Sequence, residues 1–220
     1  MTTERLTELY DHRFSAQERA RKEEIWEVLC TRYFQRFVHA TDTVLDLACG
    51  QGEFIRNIRC AHKIAVDLNA QVTNILPPEI RFINTRADQL DGVESESVDL
   101  VFASNFFEHL EDKRSMDAVL LEVRRVLKRG GRLLNMQPNI LYAPREYWDF
   151  YDHHLPLSHR SAAEGLAKNG FLIDLVIPRF MPYTTKSWLP SHPLLVDAYL
   201  RVPLAWRVLG KQFLIVGRKP

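Results

Sequence analysis

The feature that most constrains this chain is an alternation between two residue periods. Short β-branched and leucine runs recur at Thr43 to Ala48 (TVLDLA), Lys63 to Leu68 (KIAVDL), Ile80 to Thr85 (IRFINT), Ser97 to Ser104 (SVDLVFAS) and Arg132 to Gln137 (RLLNMQ), with helix-capable sequence between them. In the clearest intervening segment Met116, Val119, Leu120, Val123, Val126 and Leu127 form a helical stripe, expected to stop at Gly130 and Gly131. Strands joined through helices pair in parallel by right-handed crossovers, and both faces of the sheet are then covered. The pattern predicts a doubly wound α/β fold.

The flanks extend this plan. Trp26, Leu29, Tyr33 and Phe37 fall at i, i+3, i+7 and i+11, so the opening forty residues read as a helical cap. Ser158 to Asn169 reads as a helix with a serine cap and an Asn169-Gly170 stop, followed by a strand from Phe171 to Ile177. A proline-punctuated insertion, Pro178 to Lys211, precedes a final strand, Gln212 to Gly217, and Pro203 should divide the insertion into two short helices. The expected organisation is one domain over residues 1–220, with a helical cap at 1–40 and a helical insertion at 178–211.

Composition narrows the function classes. With 29 Lys and Arg against 28 Asp and Glu, a net charge of +1, the chain has no basic excess to neutralise many phosphates, which argues against a dedicated nucleic-acid binder. Met1 to Arg13 is polar, and no run approaches the ~20 apolar residues that span a bilayer, so a cytoplasmic location is expected. Cys30, Cys49 and Cys60 form no CxxC pair and read as small buried hydrophobes.

In an open parallel sheet the ligand lies beyond the carboxyl ends of the strands, and polar residues collect there. Asp46-Leu-Ala-Cys-Gly50-Gln-Gly52 follows the first strand; its glycines let a ligand approach the main chain. The dinucleotide fingerprint GxGxxG is absent, because Gly52 is followed by Glu53, Phe54 and Ile55. An acid just before the turn repels a pyrophosphate and suits a positively charged ligand. Asp67 closes the second strand, where a carboxylate can take both hydroxyls of a ribose. Ala87-Asp88-Gln89 follows the third strand and Ser104-Asn105-Phe106-Phe107-Glu108-His109-Leu110 ends the fourth, so polar groups follow four successive strands.

VLDLACGQG (Val44 to Gly52), AVDLN (Ala65 to Asn69), ADQL (Ala87 to Leu90), DLVFASNFFEHLED (Asp99 to Asp112) and EVRRVLKRGGRLL (Glu122 to Leu134) resemble the ordered motifs of class I S-adenosylmethionine-dependent methyltransferases. The resemblance spans about residues 40 to 137. It implies a Rossmann-like seven-stranded sheet, mostly parallel, whose last strand runs antiparallel between the fifth and sixth. It also implies S-adenosylmethionine as cofactor. Asp46, Ala48, Gly50 and Gly52 would then line its methionine end. Asp67 would hold the ribose, Leu68 would pack on adenine, Asp88 would accept from the adenine amino group with Gln89 beside it, and Asn105 would touch the methionine part through its main chain. Ala48 replaces the commonest first glycine, and Arg129 stands where a proline is frequent.

Methyl transfer from a sulfonium is an in-line displacement that chiefly needs positioning and exclusion of water. If the acceptor is a hydroxyl, histidine is the natural proton receiver. His109, just after the fourth strand, is one candidate. His154, chosen narrowly over His153, is another, in the aromatic run Glu146 to Pro156 (EYWDFYDHHLP). Glu108 and His109 with His153 or His154 could ligate a divalent metal, but position 105 is Asn and no metal is expected. Arg13 could pair with the cofactor carboxylate. If the apolar faces of the 178–211 insertion are exposed they would touch a membrane surface or lipid substrate, although a lid packed on the sheet is favoured. The function expected is methyl transfer to a small-molecule acceptor, an oxygen of a sugar, lipid-linked glycan or metabolite, by a monomer or homodimer. The rivals are a non-catalytic cofactor-binding subunit and an NAD-dependent oxidoreductase.

Overall fold

The computed structural model describes residues 16–183 and 192–220. Seven strands form one sheet: β1 (Thr43–Leu47), β2 (His62–Asp67), β3 (Ile80–Asn84), β4 (Val98–Ser104), β5 (Leu127–Pro138), β6 (Leu172–Ile177) and β7 (Gln212–Arg218). Their order is β3-β2-β1-β4-β5-β7-β6, parallel from β3 through β5, with β7 antiparallel to both β5 and β6. This is the topology the resemblance implied. Order reverses between β1 and β4, so their carboxyl ends open a crevice for a ligand.

Alternate residues of each central strand enter different layers, which is why these strands are apolar on both faces. Leu45, Leu47, Val101, Ala103 and Leu133 face one core with helices α3 (Lys113–Val126) and α4 (His159–Lys168). Val44, Leu100, Phe102 and Leu134 face the other, with α1 (Ala16–Arg32), the short α2 (Glu53–Asn57) and the pair α5 (Pro193–Arg201) and α6 (Pro203–Leu209). Phe54 of α2 stacks on Phe102 of β4 at 3.8 Å between ring centroids, which pins the helix after the first turn to the sheet beneath it.

Local chemistry sets the helix ends. Asp112 caps α3 by accepting from the Ser115 N–H at 2.8 Å, and Ser158 and Ser161 form a reciprocal capping box at the start of α4. Gly170, at φ +84°, takes the chain away from α4. Pro203 opens α6 and divides it from α5.

Two sequence expectations are corrected. The α3 stripe ends at Val126, and Leu127 passes directly into β5. Gly130 and Gly131 therefore lie inside the strand, in a bulge where the register slips from Val98↔Leu127 to Leu100↔Arg132. A Cβ on Gly131 would lie 2.9 Å from the Lys128 carbonyl oxygen, so close backbone approach requires the glycine. The cap helix ends at Arg32, and a 3-10 turn, Phe34–Phe37, carries the rest of its apolar stripe. Among the cysteines, Cys30 and Cys49 are buried and Cys60 is half-buried.

Candidate active site

The turn after β1 is built from left-handed residues: Ala48 (φ +54°), Gly50 (φ +57°) and Gly52 (φ +75°). Ala48 holds a conformation that costs an L-residue about 1 kcal/mol, and the surrounding hydrogen bonds fix it. Cys49 donates its N–H to the Val66 carbonyl at 3.0 Å, and Gly52 donates to the Cys49 carbonyl at 2.8 Å. A Cβ on Gly52 would sit 2.4 Å from Leu76 Cδ2, whereas one on Gly50 would meet nothing within 4 Å. Gly50 therefore leaves the turn open on the side where a ligand can come close.

Asp67 links this turn to β2. Its Oδ2 accepts from the Gly50 N–H at 2.9 Å and its Oδ1 from the Asn69 N–H at 2.8 Å. Each oxygen keeps a lone pair for a further donor. Burial raises the Asp67 pKa, and the main-chain hydrogen bonds oppose that rise. Asp46 is buried beneath the turn; burial lifts its pKa well above the usual range, the charge of Glu53 adds to this, the main-chain bond from Ile55 opposes it, and Asp67 adds again. Glu53, first residue of α2, is itself buried and lies 2.7 Å from Lys22 Nζ. Sequence reasoning assigned Glu53 no role; an acid directly after the second turn glycine was the available signal. Three coupled carboxylates make this mouth acidic, so it fits a ligand with a sulfonium, an ammonium and ribose hydroxyls and repels a pyrophosphate.

The other expected cofactor residues follow β2, β3 and β4. Leu68 is half exposed beside Asp67. Asp88 is held bidentately by Arg86, both contacts at 2.8 Å, which lowers its pKa and occupies both its oxygens. Gln89 is exposed. Asn105, at φ +48°, donates its main-chain N–H to the Met136 carbonyl at 3.0 Å, which leaves its carbonyl for a ligand. Its side-chain Oδ1 accepts from Gln212 at 2.6 Å. Buried Gln137 accepts from the Phe106 N–H at 2.8 Å and donates to Asn135 at 2.6 Å, bracing the turn from below. Gln137 and Gln212 were not anticipated, although each is a buried polar residue at or next to the end of a strand. Arg13 lies outside the described residues.

A second cluster adjoins the same strand end. The 3-10 turn Phe107–His109 follows β4 and brings Glu108 to 1% exposure, with no hydrogen-bond partner for either carboxyl oxygen among the described residues. Burial pushes its pKa up to about 8; its own main-chain N–H works against this and the charge of Asp152 adds to it. The Glu108 carbonyl accepts from the His154 and Leu155 N–H groups at 2.8 and 3.1 Å, which ties the aromatic loop under β4. His109 Nδ1 lies 3.0 Å from the Asp152 carbonyl oxygen and 3.4 Å from its Oδ2. The His153 ring lies 4.9 Å from that of His109, stacks on Phe150 at 4.9 Å and meets Tyr147 at 4.9 Å. His153 Nε2 is 3.4 Å from the Tyr183 hydroxyl.

The structure separates the two loop histidines. His153 is buried beside His109, whereas His154 is exposed. The Tyr147 ring occupies the interior and its hydroxyl donates to the Leu155 carbonyl, so the loop cannot rotate to exchange the two. One ligand atom each from Glu108, His109 and His153 lies within 4.8 Å of the others, a grouping that a divalent cation fits, although no metal was expected.

Residues 45–135 match the family model of a methyltransferase domain. The ubiquinone/menaquinone biosynthesis C-methyltransferase UbiE of Rhizobium meliloti (strain 1021) is 34% identical over 105 residues, which are 43% of this chain and only 40% of that relative's length. A SAM-dependent methyltransferase from Archaeoglobus fulgidus superposes with a TM-score of 0.66 at 18% identity, covering 90% of this chain and 94% of the other. Geranyl diphosphate methyltransferase in complex with SAM superposes with a TM-score of 0.65 at 18% identity, covering 93% and 88%. The family match covers residues 45–135, less than half of this chain, and the superpositions show that the whole sheet has the fold of SAM-dependent methyltransferases. The matched segment runs from β1 into β5 and contains the acidic turn, Asp67 and the strand end that carries Glu108 and His109. S-adenosylmethionine is the cofactor that the turn's charge fits.

Proposed function

We propose that this chain transfers a methyl group to an oxygen of a small-molecule acceptor, a sugar, a lipid-linked glycan or a metabolite hydroxyl. The observation that carries the reading is the His109–Asp152 pair beside buried Glu108, on the strand end that also presents Asn105 to the cofactor mouth. When bound, S-adenosylmethionine supplies an electrophilic methyl on a sulfonium. Asp67 holds the ribose hydroxyls, Asp46 and Glu53 offset positive charge, and the Gly50 turn lets the methionine part approach the main chain. His109 receives the acceptor's proton at its Nε2 while Asp152, at Nδ1, fixes the ring and stabilises the imidazolium. His153, Phe150 and Tyr147 wall the adjoining space and keep water from it.

The reading is tested by incubating the protein with S-adenosylmethionine and a panel of sugars, nucleotide sugars and phenols, with products followed by mass spectrometry. Methyl ethers that vanish in His109→Ala support it. Intact cofactor binding with no product from any acceptor favours a non-catalytic subunit. The C-methyltransferase relative favours a second reading, transfer to carbon next to a phenolic hydroxyl, which the same base would assist. A product methylated at ring carbon would select that reading.

A further inference from the structure

Helices α5 and α6 are apolar on two sides, and the domain uses only one. Inward, Tyr199 donates its hydroxyl to the Phe180 carbonyl at 2.6 Å, and Trp206 donates its ring N–H to the Tyr199 carbonyl at 2.8 Å. The Trp206 ring meets Phe180 at 5.2 Å and Tyr33 at 5.8 Å between centroids, and Leu200 is buried with them. The pair is thus fixed rigidly to the α1 side of the sheet.

The outward side is the unusual one. Leu194, Leu195, Ala198, Arg201 and Val202 recur at i, i+1, i+4, i+7 and i+8, one face of α5 running into the junction, and all are exposed. On α6, Leu204 and Val208 extend that face, with Arg207 beside them. Leu194 is 72% exposed, and Leu204 and Val208 are each 71% exposed. Five large apolar side chains on two consecutive short helices make a patch that a monomer in water gains nothing by displaying.

Charge identifies what covers it. Asp197 is the one acid between Pro193 and Leu209, and it is already paired with Arg32 at 3.2 Å and Arg201 at 2.7 Å. Arg201 and Arg207 against Asp197 leave the two helices net positive, and Arg201 keeps 67% of its side chain exposed. Apolar side chains interleaved with arginines match a surface with an acyl interior and anionic headgroups. Neither helix is long and apolar enough to cross a membrane, so the geometry is that of a pair lying in the interface.

We propose that the outward face of α5 and α6 docks this protein on an anionic lipid surface. The inference goes beyond the methyl-transfer reading and stands without it.

The test is co-sedimentation of the full chain with vesicles of phosphatidylcholine alone and vesicles containing about 30 mol% phosphatidylglycerol. The expected result is binding to the anionic vesicles only, weakened by salt. The triple variant Leu194→Glu, Leu204→Glu, Val208→Glu should bind at least about tenfold less. Arg207→Glu, which keeps every apolar group and the Arg201–Asp197 pair, should also weaken binding, while both variants keep the wild-type affinity for S-adenosylmethionine and the wild-type melting temperature. Wild-type protein that stays in the supernatant with both vesicles overturns the proposal, as does a triple variant that sediments like wild type. A concentration-dependent dimer in lipid-free solution that the triple variant abolishes would assign the face to a second copy and overturn it equally.

Discussion

Glu108 makes the burial argument measurable. Its carboxyl pKa is raised from the ordinary 4.5 to about 8, chiefly because ionisation would leave a charge in the interior. Between those values the folded protein keeps a proton that the unfolded chain has released, so this group's contribution to stability is fully present below about pH 4.5 and is lost as pH rises through about 8. Integrating the linkage relation from about pH 6 to pH 8 gives a loss of about 2 kcal/mol from Glu108. Glu108→Gln removes the titrating group and keeps the shape. Asp46 and Asp67, also raised by burial, contribute slopes of the same sign to both proteins and cancel in the difference. Urea unfolding of both proteins at the two pH values should show wild type losing about 2 kcal/mol more than the variant. Equal losses would mean that Glu108 ionises freely and that its burial carries no electrostatic penalty.

Three further outcomes follow from the site. Asp67→Ala removes the ribose acceptor together with the acceptor of the Gly50 N–H, and calorimetry should show S-adenosylmethionine binding weakened roughly 30- to 100-fold; unchanged affinity would place the cofactor elsewhere. His109→Ala should lower turnover by roughly 10²- to 10⁴-fold with cofactor affinity within about twofold, whereas exposed His154→Ala should leave both near wild type, and the reverse pattern would exchange their roles. Gly52→Ala places a Cβ 2.4 Å from Leu76 at a left-handed φ, and should cost about 1–3 kcal/mol by chemical denaturation; an unshifted midpoint would refute the strained geometry of the turn.

The sheet was legible because its central strands are apolar on both faces; among the described residues, helices of ten residues or more join only β4 to β5 and β5 to β6, so the other crossovers had to be read from the strands alone. Asp46, Gly50 and Gly52 could be read as a ligand turn since residues of that kind have no reason to follow an apolar strand otherwise. The choice between His153 and His154 could not be read this way, because adjacent residues on a loop have no periodicity to say which faces inward. Tyr147, whose buried ring and bond to Leu155 hold the loop, accompanies the inward turn of His153. The double glycine was misread for a related reason: a glycine pair after a helical stripe looks like a cap, and only pairing with β4 reveals the bulge. Glu53 escaped notice because its weight comes from burial beside Asp46, a tertiary fact. Among the described residues of the insertion, two helices meet at Pro203 and their apolar residues face two ways, which a lid alone does not describe.

The most direct test of the central claim, an acidic glycine-lined mouth that takes S-adenosylmethionine, is calorimetric titration of the purified protein with that cofactor and separately with NAD, each with and without chelator. The account predicts saturable S-adenosylmethionine binding that survives chelation, with no heat from NAD. Binding of NAD alone, or of neither, would contradict it.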